Sequence, residues 1–132
     1  MQSEISTAPV SKKILWTGRV ISILPALMLI MSGVMKLLKP AGVVEGMTKL
    51  GWPERLAVPL GILELTCVVL YLVPQTAVLG AILLTGYLGG AIATHVRIGE
   101  PFITILPLGI ALWGGLFLRD PRLRVLIPLR RL

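Results

Sequence analysis

The apolar positions of this chain fall into four long runs, at about residues 14–38, 56–73, 76–96 and 102–118, separated by short segments that carry charge, proline and glycine. A helix needs about 20 apolar residues to cross a bilayer's hydrocarbon layer, because each residue advances about 1.5 Å. The pattern predicts an all-α membrane protein, a four-transmembrane-helix bundle. In the first run Ser22, Leu29, Ser32, Gly33 and Lys36 recur on one side at helical spacing. That side is small and polar, so it is expected to face the bundle interior. Pro25 removes one backbone hydrogen bond and predicts a bend, with Ser22 or a neighbouring helix expected to satisfy the freed carbonyl.

The segments between the runs add detail. Pro74 and Gln75 leave room only for a tight turn, which makes the second and third runs antiparallel neighbours. In the third run Gly86, Gly90 and Ala93 share a face that suggests close helix approach, while Tyr87, Ala91, Thr94 and His95 form a more polar side. The fourth run has no ionisable group and reads as a bundle wall. Between the first and second runs, residues 39–55 place Val43, Val44, Met47 and Leu50 opposite Lys39, Glu45 and Lys49. This spacing predicts a short interfacial helix, anchored by Trp52 and suited to cap one mouth of the bundle. Residues 1–13 read as a mobile cytoplasmic tail, and residues 119–132, with five arginines among leucines, as a basic segment on the membrane surface. The first run is too long for a signal-peptide core and has no A-x-A-like cleavage site, so it is expected to be retained.

Composition supports this reading. With 55% hydrophobic residues, 14% charged and a mean hydropathy of +0.90, 132 residues have too much apolar surface for a soluble domain of this size. The net charge of +7 lies in short clusters beside the apolar runs, which suits lipid headgroups and argues against nucleic acid. The single cysteine, Cys67, lies within a run, so no intrachain disulfide or CxxC pair is available. Eight of the 13 basic residues fall on the side of the two tails and five on the other, offset there by Glu45, Glu54 and Glu100. The positive-inside rule then places both termini in the cytoplasm of a bacterial inner membrane.

Glu64, near the middle of the second run, is the anomaly. A carboxylate at membrane depth costs about 2.5 kcal/mol or more and needs a partner. Helices 1 and 3 run outward and helix 2 inward, and side chains lean toward their helix N-termini, so Lys36, Glu64 and His95 can converge. Ser32, Tyr87 and Thr94 are candidate lining groups. Two accounts stand side by side: a buried Lys36–Glu64 ion pair, steadied by His95, that registers the helices, or a polar pocket in which Glu64 or His95 moves protons on a membrane-soluble substrate. Arg97 and Glu100 are expected to form an interfacial pair outside the pocket. One histidine and one buried acid fall short of a metal centre's usual ligand set.

The motifs SGVMKL, GWPE, GILEL and above all GGAIATHVRIGEP resemble those of the DoxX-like family of small four-helix membrane proteins, over residues 14–118. Position by position the resemblance marks the same Lys36, Glu64 and His95. It implies a membrane subunit linked to redox chemistry through an exchangeable quinone, or an assembly factor acting on membrane-protein partners or as a homo-oligomer. With no cysteine pair, haem-ligand pair or nucleotide fingerprint in the chain, a redox role requires the quinone or a partner carrying the redox centre. Three functions remain open: quinone or lipid binding at the Lys/Glu/His cluster, a non-enzymatic scaffold, and acid/base isomerisation of a lipid-like substrate.

Overall fold

The computed structural model describes the backbone over residues 11–126 and the side chains up to 123. The first helix, α1 (Lys12–Leu38), starts where the Ser11 side chain accepts a hydrogen bond from the Ile14 amide, so the two lysines belong to the helix. It stops at Lys39, which is left-handed (φ 52°) and precedes Pro40, a residue that cannot continue a helix. Helix α2 (Ala41–Leu50) ends at Gly51 (φ 85°), a backbone conformation that glycine adopts without strain. A 3-10 turn, Glu54–Leu56, leads into α3 (Ala57–Leu72). A second such turn, Pro74–Thr76, leads into α4 (Ala77–Arg97), and α5 (Leu106–Arg119) and α6 (Pro121–Leu126) follow. No strand occurs among the described residues.

Three of these helical stretches are long and apolar enough to cross a membrane: Lys12–Leu38, Glu54–Leu72 and Pro74–Arg97. The fourth differs from expectation. Residues 102–105 form a turn and α5 has 14 residues, about 21 Å of helix, short of the ~30 Å hydrocarbon layer. Pro107 accounts for the late start, because proline fits only the first turn of a helix and here takes that position.

Helix α1 packs between α3 and α5, α3 also packs on α4, and α4 and α5 meet along a looser seam. Small residues make the tight crossings. A Cβ added at Gly33 would press on Leu65, one at Gly61 on the Gly33 carbonyl, and one at Gly115 on Ser22. The core comprises Leu29, Cys67, Val68, Tyr71, Leu84, Leu112 and Leu116. Outward positions are apolar as well: Met31 and Ile110 are 70% and 72% exposed. Small residues at the helix crossings together with large apolar groups turned outward is the arrangement a lipid environment favours.

Ser22 and Gly33 are buried, and Ser32 and Lys36 are partly buried, as the helical spacing in the first run predicts. Ser22, however, donates to the Gly18 carbonyl and does not serve the carbonyl freed by Pro25. Its other contact is the Tyr71 hydroxyl at 3.0 Å, which itself donates to the Leu112 carbonyl at 2.5 Å and so links α1, α3 and α5. Arg119, read from sequence as part of a surface tail, instead stacks its guanidinium 5.0 Å over the Tyr71 ring. The Gly86–Gly90 face also departs from expectation: a Cβ at either glycine would meet nothing within 4 Å, so no helix among the described residues approaches there. Residues 127–132 of the basic segment and 1–10 of the first tail lie outside the described residues.

Candidate functional site

The open side of Gly86 and Gly90 belongs to a cavity of about 500 Å³ bounded by α1, α2, α3, α4 and α5. Its size suits a small amphiphile. Apolar side chains such as Met28, Leu29, Leu60, Leu88 and Leu108 make most of its wall. Polar groups enter from α1, α3 and α4, and they centre on Glu64.

Glu64 is 1% exposed. Lys36 Nζ stands 2.8 Å from its Oε2 in an ion pair between α1 and α3. Ser32 Oγ donates to the same oxygen at 3.3 Å and accepts from Lys36 Nζ at 2.8 Å, because positions 32 and 36 are one helical turn apart. From α4 the Tyr87 hydroxyl donates to Oε2 at 3.1 Å, and Lys36 Nζ lies 5.9 Å over the Tyr87 ring. Three donors therefore converge on one carboxylate oxygen. Among the described residues no hydrogen bond ends on Oε1.

His95 lines the same cavity but does not join this cluster by a hydrogen bond. Its Nδ1 lies 2.7 Å from the Ala91 carbonyl, one turn back on α4. A carbonyl can only accept, so Nδ1 carries a proton, and in the neutral form of the ring Nε2 is left as the acceptor. This corrects the expectation that His95 steadies the Lys36–Glu64 pair. Thr94 also lines the cavity, with its hydroxyl spent on the Gly90 carbonyl. Tyr87 and Ser32, expected only as lining, are direct partners of the acid.

Helix α2 closes one end of the cavity with Met47 and Leu50, followed by Trp52. Its position is fixed from the C-terminal end of α4: Arg97 Nη2 donates to the Leu50 carbonyl at 2.5 Å, and Lys49 Nζ pairs with Glu100 Oε1 at 2.8 Å. Arg97 and Glu100, expected to pair with each other, thus each hold α2. No local pattern signals this strap, because its partners lie about 50 residues apart. Among the described residues no group of three or more His, Cys, Asp or Glu gathers as a metal-ligand set.

A bundle of apolar helices wrapped around a buried ion pair defines a small integral membrane protein of the all-helical class. A family model described as the DoxX-like family matches residues 20–115, and the chain belongs to that family. The match includes the whole Lys36, Glu64, Tyr87 and His95 constellation. No curated protein and no solved structure matches the chain significantly.

Proposed function

We propose that this protein is a membrane subunit that binds one quinone or similar lipidic molecule in the cavity beside Glu64. The observation that carries the reading is the pairing of a largely apolar chamber of about 500 Å³ with a carboxylate that keeps one oxygen free of donors. A purely structural ion pair does not need an adjoining chamber, whereas a binding site needs both an apolar berth and a few convergent polar groups. In this role Lys36 and His95 orient the headgroup and Glu64 carries a proton. A partner protein supplies any redox centre beyond the quinone.

The test is native mass spectrometry with lipid extraction on gently solubilised wild type and Glu64→Gln. A defined ligand in the wild type that is lost from the variant supports the proposal. Bulk phospholipid alone in both overturns it and favours a second reading, a scaffold in which Lys36–Glu64 merely registers α1 against α3. That second reading has its own support in the open Gly86–Gly90 face, which another membrane helix or a second copy can fill. Acid/base isomerisation between Glu64 and His95 differs in one measurable respect: it turns over without an electron acceptor. For orientation, the proposal places both termini in the cytoplasm of a bacterial inner membrane, on the excess of basic residues near the tails.

A further inference from the structure

The internal bonds of the cavity leave a charged acceptor as well as donors unspent. Two of the three hydroxyl or ammonium donors around Glu64, Ser32 Oγ and the Tyr87 hydroxyl, have their protons on Oε2. Lys36 Nζ commits two protons, to Oε2 and to Ser32 Oγ, and retains one. The Thr94 hydroxyl is turned to the Gly90 carbonyl. Acceptors without a donor among the described residues include Glu64 Oε1 and, in the neutral ring, His95 Nε2, both on cavity-lining residues. In the ion pair the carboxylate is acceptor-only.

Charge narrows the choice further. Lys36 and Glu64 neutralise each other, so a cationic or anionic headgroup would enter a chamber with no counter-charge to offset its desolvation. A neutral hydroxyl suits the remaining capacity: its proton meets Oε1 or Nε2, and its oxygen can accept the last Lys36 proton. A ketone or ether oxygen can only accept, from Lys36 or from the Trp52 indole N–H that also lines the cavity, and it leaves Glu64 Oε1 unpaired, which buried polar groups tolerate poorly.

We infer that the cavity selects a neutral amphiphile bearing a hydroxyl headgroup, a phenol or alcohol, over the same molecule with the hydroxyl masked as an ether or oxidised to a carbonyl. The inference rests on the lipid-binding reading above and gives it a headgroup. For a quinone couple it assigns the tighter binding to the reduced, hydroxyl-bearing member.

The experiment compares 4-octylphenol with its methyl ether, titrated against the detergent-solubilised full chain, with occupancy read by native mass spectrometry and thermal stabilisation read in parallel. The expected result is about tenfold tighter binding of the phenol, the difference one buried hydrogen bond makes. Equal binding of the two overturns the headgroup inference and leaves the lipid-binding reading standing. Failure of both to bind a folded wild type overturns the two together. Glu64→Gln provides the sharper arm: the amide oxygen takes over the Oε2 bonds and the amide nitrogen, a donor, replaces Oε1, so the preference collapses or reverses toward the ether. An unchanged preference in that variant overturns the role given to Oε1. Should Glu64→Gln fail to fold, Gly90→Leu supplies the control, because its side chain enters open space in the cavity and should abolish phenol binding. Retained binding in Gly90→Leu would place the phenol elsewhere and overturn the inference.

Discussion

Lys36 Nζ and Glu64 Oε2 stand 2.8 Å apart, with the lysine side chain 19% exposed and the glutamate 2%. The asymmetry decides which partner is costlier to lose. Lys36→Met strands a buried carboxylate and is expected to cost about 3 kcal/mol. Glu64→Gln leaves a lysine that can still reach solvent or headgroups, and should cost less. Unfolding in a mixed-detergent titration ranks the two, and a larger loss for Glu64→Gln would contradict the geometry.

Two glycines on α4 should respond in opposite directions. A methyl at Gly80 falls on the Tyr71 backbone beside the Pro74–Thr76 turn, so Gly80→Ala must push α3 and α4 apart, at about 1–3 kcal/mol. At Gly90 the added methyl meets open space, and Gly90→Ala should stabilise the helix by about 0.5–1 kcal/mol. Paired melting curves of these two variants test the packing directly. If Gly90→Ala proves the more damaging, a second copy or a partner helix occupies that face.

Tyr71→Phe keeps the ring under Arg119 but removes the hydroxyl that joins Ser22 to the Leu112 carbonyl. The expected loss is about 0.5–1.5 kcal/mol, since the Leu112 carbonyl gives up its second bond but keeps its place in the α5 ladder. Calorimetry should show this cost as undiminished in the Ser22→Ala background, because the shorter bond is to Leu112.

The strap over α2 predicts a different kind of change. Lys49 is 66% exposed on its side chain, and its pair with Glu100 should be worth less than about 1 kcal/mol. Combining Lys49→Ala with Arg97→Ala should leave the melting temperature nearly unchanged while hydrogen exchange across Ala41–Leu50 quickens severalfold. Exchange rates equal to wild type would mean that Met47, buried at 6% exposure, holds α2 without the strap.

The helices and the polar cluster were legible in the sequence because membrane depth makes local chemistry loud. A 25-residue apolar run can hardly be anything but a helix, and a lone acid within such a run requires a partner. Helix rotation was not legible. Whether the His95 ring points at Glu64 or back to Ala91 depends on a choice between two good acceptors, one of them always within reach one turn away. The Gly86–Gly90 spacing was likewise ambiguous, since the same missing side chains serve a helix contact or an empty chamber. Arg119 was misplaced for a related reason: an arginine at a helix end can reach headgroups, yet here the Tyr71 ring offers its face from within the bundle. The late start of α5 was signalled by Pro107, read only as part of an apolar run.

The turn at Pro74–Thr76 bears on how the chain enters the bilayer. Thr76 closes it through a bond to the Leu70 carbonyl, and Gly80 lets α4 lie directly on the Tyr71 backbone. The two helices thus form a tight hairpin, which is a natural unit of insertion. Tyr87 on one arm faces Glu64 on the other, so the acid can leave the translocation machinery already hydrogen-bonded within its own hairpin. Lys36 belongs to the preceding helix, so its bond to Glu64 forms only once that helix packs on the hairpin. Biogenesis therefore need not expose a bare carboxylate to lipid at any stage.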